Sequence, residues 1–141
     1  MIHEYTHKVQ YYETDKMGVT HHSNYLRFME EARTDFMEQI GYSYAQMERD
    51  GFCSPVIGVT CDYKKTTTYA DFIKIKVEII ELSGVKIRFK YTMKVDDNIV
   101  CEATTLHCCL NTEGKVISLK KVNPEAYELF LSYLTSVKDE K

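Results

Sequence analysis

The residues best equipped for chemistry crowd into one stretch, "YYETDKMGVTHHSNYLRFMEEAR", positions 11 to 33. Asp15 supplies a carboxylate in a loop, and Tyr11 a hydroxyl four residues earlier. His21 and His22, two of only 5 histidines in the chain, stand at the mouth of what reads as a helix. The first turn of a helix leaves backbone N–H groups without partners and carries the positive end of the dipole. Donors aimed in that way meet the negative charge that develops on a carbonyl oxygen under attack. The backbone N–H of His22 is the natural candidate. A carboxylate across the same pocket acts as general base to a water or attacks directly. The His22 imidazole is suited to orient that water or donate a proton near neutral pH.

The same residues also support a plainer reading. Asp15 in "ETDKMG" is a residue type that routinely closes loops. His21 and His22 then merely flank the N-cap of the helix. Residue types alone leave both readings open. Adjacent histidines make a poor metal pair. A site built from His107 and Cys109 has nothing further to support it, so no metal and no cofactor is expected. Phosphate-binding loops, dinucleotide glycine patterns and nucleophilic serine or cysteine motifs are absent.

The surrounding elements must hold these groups. Residues 3–11 read as a weakly patterned first strand, and 12–22 as a loop containing Gly18. From Ser23, a plausible N-cap, Tyr25, Phe28, Met29, Ala32, Phe36 and Ile40 form one apolar stripe at helical spacing. Gly41 is a natural stop, which predicts a helix of about 17 residues, roughly 26 Å long. Arg27 and Glu31 are spaced to pair along it, and Glu30 and Arg33 are assigned structural roles. A short helical turn is expected over 43–50.

Beyond it the period changes to two. "SPVIGVTCDYKKTT" is β-like and ends in a turn near "YAD". "IKIKVEI" and "VKIRFKYTMKV" alternate apolar and polar residues, and "IVCEATTLHCCLN" does so less cleanly. Short turns join these strands as antiparallel hairpins. Asn123 and Pro124 open a late helix. One apolar helix stripe and one apolar sheet face must bury each other, which predicts an α+β fold: a curved antiparallel sheet wrapped around a long helix. Open sheet edges invite a partner subunit, so a symmetric dimer or a larger assembly is expected.

Composition bounds the rest. With 141 residues, 44% hydrophobic and 28% charged, one globular domain over 1–141 is expected. A net charge of −3 argues against nucleic acid as partner. No apolar run approaches the ~20 residues of a membrane span, and "MIHEYTHKV" lacks a secretory apolar region. The 5 cysteines are odd in number and form no CxxC, as expected of buried thiols in a reducing, cytoplasmic compartment.

The stretch 11–33 resembles the signature segment of hot-dog-fold acyl-CoA thioesterases, in the branch related to 4-hydroxybenzoyl-CoA thioesterase. The matching residues are Tyr11, Asp15, Gly18, His22, Asn24, Tyr25, Leu26, Phe28, Glu30, Ala32 and Arg33. The order of elements agrees to about residue 120. The resemblance implies a hot-dog fold and an enzyme that hydrolyses the thioester of acyl-CoA to free acid and CoA. It implies that Asp15 is the catalytic carboxylate, acting as base or nucleophile, and that the His22 N–H polarises the carbonyl. The His22 and Tyr11 side chains assist, and Gly18, Asn24 and Tyr25 bind substrate. It further implies a homodimer or a dimer-of-dimers homotetramer, with the site at a subunit boundary. One or two of Lys64, Lys65, Lys74, Lys76, Lys86, Arg88 and Lys90 then meet the CoA phosphates. The segment departs from the family pattern at Glu13, usually aspartate, at His21, usually aromatic, and at Thr67, usually proline. Alternatives on the same fold are an acyl-thioester dehydratase or hydratase and a non-catalytic acyl-binding module.

Overall fold

A computed structural model describes residues 2–135; both ends of the expected 1–141 domain lie outside the described residues. The chain runs β1 (Tyr5–Lys8), a 3-10 turn (Tyr11–Glu13), α1 (Asn24–Gln39) and α2 (Tyr44–Arg49). Strands β2 (Phe52–Cys53), β3 (Val56–Tyr63), β4 (Phe72–Leu82), β5 (Lys86–Val95), β6 (Asn98–Cys108) and β7 (Leu110–Asn111) follow, then α3 (Leu119–Val122) and α4 (Pro124–Ser132). The main sheet has the order β1-β4-β5-β6-β3, with every neighbouring pair antiparallel. β2 and β7 form a separate two-stranded ribbon.

The predicted stripe of α1 is buried throughout, as are Ile73, Ile75, Val77 and Ile79 of β4 and Ile87, Phe89, Tyr91 and Met93 of β5. Burial of each such side chain contributes roughly 1.5–3 kcal/mol, so helix and sheet hold each other by area. This is the hot-dog arrangement. Gly41 ends α1 at φ +90, with the Tyr42 N–H reaching back to the Met37 carbonyl (3.0 Å). Asn123 caps α4, accepting the Ala126 N–H (3.2 Å).

Four local expectations are corrected. The first strand stops at Lys8, because the Glu13 carboxylate accepts the Gln10 N–H (2.7 Å) and closes a turn out of the sheet. Ser23 does not cap α1. Its backbone is already helical (φ −61, ψ −24) and its hydroxyl bonds His21 Nδ1 (2.8 Å). Arg27 reaches the Asn24 side chain (3.0 Å) in place of Glu31. Cys53 is exposed, although Cys101, Cys108 and Cys109 are buried as expected.

A buried polar chain fixes the register of α1 against the sheet. Arg33 Nη1 donates to the Tyr91 hydroxyl (3.0 Å), which bonds Thr105 Oγ1 (2.7 Å). Thr105 Oγ1 bonds His107 Nε2 (2.9 Å), and His107 Nδ1 faces the Ser54 carbonyl (2.9 Å). The carbonyl only accepts, so Nδ1 carries the proton and Nε2 accepts from Thr105. Tyr91 then donates to Thr105, and every direction in the chain is determined. Arg33 Nε also donates to the Tyr44 hydroxyl (2.7 Å), which ties α2 to α1.

Candidate active site

Between the 3-10 turn and α1 the chain folds into a tight loop. The Asp15 N–H donates to the Val19 carbonyl (2.9 Å), and the Gly18 N–H returns to the Asp15 carbonyl (2.9 Å). Asp15 Oδ1 accepts the Met17 N–H (2.8 Å); Oδ2 has no hydrogen-bond partner among the described residues. Gly18 makes the turn at φ +80, a region that side chains disfavour, and its carbonyl accepts the Thr68 hydroxyl (2.7 Å). The plainer reading of Asp15 therefore holds for one carboxylate oxygen and leaves the other available.

Asp15 and His22 line the same cleft, of about 330 Å³, with Val19, Thr20 and Tyr25. Its far wall comes from the end of β3 and the residues after it: Tyr63, Lys64, Lys65 and Thr66. At the helix entrance the His21 N–H is taken by the Glu13 carbonyl (2.8 Å) and the Ser23 N–H by His21 Nδ1 (3.3 Å). The His22 N–H meets no acceptor among the described residues, as an oxyanion donor requires. The His22 ring is exposed, stacked on His21 (4.3 Å between centroids) and edged by Tyr63 (6.2 Å).

Tyr11 is not brought into this cleft. It opens the 3-10 turn, is 76% exposed, and lays its ring against Tyr69 (5.8 Å). The turn that ends β1 early sends its side chain outward. Neither Gly18 nor Asn24 lines the cleft. Asn24 is buried; its Nδ2 donates to the Glu13 carbonyl (2.9 Å) and its Oδ1 accepts from Arg27. Both hold the loop. Tyr25 does line it: its hydroxyl bonds Thr67 Oγ1 (2.9 Å), which also bonds Thr20 Oγ1 (2.6 Å). Burial raises the Tyr25 phenol, so it stays protonated. Thr67, where the resembling family has proline, thus joins three hydroxyls behind the cleft wall.

Sequence reasoning did not single out Tyr63. Its hydroxyl donates to the His22 carbonyl (3.1 Å) and its ring packs on Tyr25 (5.2 Å), so it braces the helix tip from the opposite side. The one available signal was an aromatic residue ending a strand beside two lysines. Among the described residues no group of three His, Cys, Asp or Glu side chains is arranged to hold a metal.

Known proteins resemble this chain over most of its length. Residues 9–130 match the family model described as the thioesterase-like superfamily. YneP of Bacillus subtilis, whose name marks it as a candidate acyl-CoA thioesterase, is 34% identical over 126 residues, 86% of this chain and 91% of YneP. The acyl-CoA thioesterase YbgC of Haemophilus influenzae is 26% identical over 121 residues, 85% of this chain and 84% of that one. A solved DHNA-CoA thioesterase from Staphylococcus aureus superposes with a TM-score of 0.88 at 31% identity, covering 92% of this chain and 89% of that one. The chain belongs to the thioesterase-like superfamily.

Proposed function

We propose that the chain is a single-domain acyl-CoA thioesterase, with Asp15 as its catalytic carboxylate and the His22 N–H as its oxyanion donor. The observation that carries this reading is the shared cleft: it is lined by Asp15, one of whose carboxylate oxygens has no partner among the described residues, and by His22, whose backbone N–H meets no acceptor among them. In the general-base route a water attacks the thioester carbon and passes its proton to Asp15. The carbonyl oxygen takes the negative charge against the His22 N–H. The tetrahedral intermediate collapses, the C–S bond breaks, and the departing thiolate takes the proton from Asp15. The products are the carboxylic acid and the CoA thiol. In the nucleophilic route Asp15 attacks the thioester carbon, the C–S bond breaks and the CoA thiolate leaves a mixed anhydride; water then cleaves the anhydride to the free acid and the Asp15 carboxylate, and its second proton goes to the thiolate. A thioester lacks amide resonance and has a good leaving group, so one acid and one donor suffice.

The CoA phosphates are best met by Lys65. Lys64 is engaged with Asp62 (2.7 Å), whereas Lys65 makes only a 3.4 Å contact to Asn98. The β3 edge supports a homodimer: its outer side is unpaired among the described residues, and Val56, Ile57 and Val59 on it are 43%, 51% and 46% exposed. A second copy pairing there extends the sheet and seats the cleft, whose wall includes Tyr63 of β3, at the subunit boundary. Such dimers can pair again into a tetramer. Five free cysteines fit a reducing cytoplasm, and no helix of the described residues is long and apolar enough to cross a membrane.

The test is thiol release from a panel of short, long and aromatic acyl-CoAs, with the products identified. Asp15→Asn should lower turnover by about 10²–10⁴-fold with unchanged circular dichroism. Acyl-CoA binding without turnover, a hydrated or dehydrated product, or full activity in Asp15→Asn would refute the assignment.

A further inference from the structure

Glu13 occupies a peculiar position in the chain: two residues before the acid, and bonded through its carbonyl to the helix tip. The residue is 4% exposed. Oε1 faces His7 Nε2 (2.8 Å) from β1 and accepts the Gln10 N–H (2.7 Å). Its carbonyl accepts two donors from the entrance of α1, the His21 N–H (2.8 Å) and Asn24 Nδ2 (2.9 Å). One residue is therefore fastened to the sheet through its side chain and to the helix tip through its backbone. The two groups of the proposed chemistry flank it: Asp15 lies two residues on, and His22 immediately follows His21.

His7 is itself held firmly. Its ring packs on Phe28 of α1 with centroids 4.1 Å apart, and its Nδ1 lies 3.3 Å from Glu31 Oε1. Glu31 Oε1 also accepts the Tyr5 hydroxyl (2.7 Å). The charged groups facing His7 are thus Glu13 from the 3-10 turn and Glu31 from α1. Removal of His7 leaves a buried carboxylate without its principal side-chain partner, which drives the group to move toward another donor or toward water. Movement of Glu13 carries its carbonyl with it, and that carbonyl is what holds the helix tip to the acid-bearing loop.

We infer that His7 and Glu13 form a positioning pair that sets the alignment of Asp15 with the His22 N–H. The pair touches no substrate. It fixes the backbone between the two reacting groups, where a misplacement of about 1 Å costs on the order of 10² in rate. Neither residue belongs to the stretch's chemical inventory, and this inference rests on the thioesterase reading given above.

The experiment is steady-state acyl-CoA hydrolysis by His7→Phe, Glu13→Ala and Glu13→Gln, with Asp15→Asn in the same assay. His7→Phe keeps a ring against Phe28 and removes both nitrogens. Glu13→Gln keeps an oxygen that accepts from both Gln10 and His7. The expected result is that kcat falls about 10–100-fold in His7→Phe and Glu13→Ala, with KM within threefold. Glu13→Gln should regain most of the kcat. Wild-type kcat in folded His7→Phe, a rise confined to KM, or Glu13→Gln as damaged as Glu13→Ala would overturn the inference. If Glu13→Ala fails to fold, His7→Phe and Glu13→Gln decide alone. If Asp15→Asn is inactive while His7→Phe matches wild type, only the positioning role falls. If Asp15→Asn retains turnover, the thioesterase reading falls and takes this inference with it.

Discussion

His107 makes the stability of this fold depend on pH in a direction that the hydrogen bonds determine. The ring is 0% exposed, edge-on to Phe89 (5.3 Å), and held as a neutral tautomer between the Ser54 carbonyl and the Thr105 hydroxyl. Burial pushes its pKa from 6.5 down to about 4, partly opposed by the Ser54 carbonyl and reinforced by the nearby Arg33 charge. Between those two values the unfolded chain binds a proton that the folded chain refuses. Stability is therefore complete above about pH 6.5 and is lost as pH falls toward 4. At 1.36 kcal/mol per pH unit the whole window is worth roughly 3 kcal/mol, and pH 5 costs about 2. That is a large share of the roughly 5–15 kcal/mol that holds a domain together. The comparison protein is His107→Gln, whose amide donates to Ser54 and accepts from Thr105 but does not titrate. Urea unfolding at pH 7.5 and 5.0 should show wild type losing about 2 kcal/mol more than His107→Gln across the interval. Carboxylates that titrate in both proteins cancel in the difference. Equal losses in the two proteins would refute the argument that burial of this imidazole governs the acid side of the curve.

Other perturbations have equally definite outcomes. Gly18→Ala meets no neighbour within 4 Å, so only the backbone at φ +80 resists it; calorimetry should register about 1–2 kcal/mol of destabilisation, and kcat should fall because the loop carries Asp15. Tyr91→Phe removes the acceptor of Arg33 Nη1 and the donor to Thr105, which should cost about 1–3 kcal/mol in a urea titration. Val59→Lys on the β3 edge should shift the sedimentation profile from dimer to monomer, and an unaltered profile would place the subunit contact elsewhere.

The fold was legible where periodicity is enforced by burial. The stripe from Tyr25 to Ile40 and the alternation of β4 and β5 follow from which faces must leave water, and those faces are buried as expected. Legibility failed where a side chain overrides the pattern. Residues 9–11 carry no signal that the strand has ended, because the cause is the Glu13 carboxylate reaching back to Gln10. Ser23 has the type and spacing of a cap, yet the helical backbone begins earlier, with the Asn24 and Tyr25 N–H groups donating to the carbonyls of His21 and His22. A hydroxyl that finds a nearby imidazole has no need of the helix end.

The site divides along the same physical line. Asp15, His22 and Tyr25 share a cleft because a loop closed by its own backbone bonds meets a helix tip, and their proximity in sequence makes that meeting legible. The opposite wall, Tyr63 to Thr66, lies far along the chain, brought there by the pairing of β3 with β6, and no local pattern announces it. Within the signature stretch, spacing does not separate residues that line the cleft from residues that hold the backbone. Gly18 matches the pattern for its φ, and Asn24 for its bond to the Glu13 carbonyl. Tyr11 also matches, but in an isolated chain its ring lies outside the cleft beside Tyr69. An irregular loop has no period from which side-chain direction can be read. A shared motif therefore marks the residues that keep the acid and the N–H in register as surely as those that react, and Glu13, which departs from the family residue, stands where those two sets join.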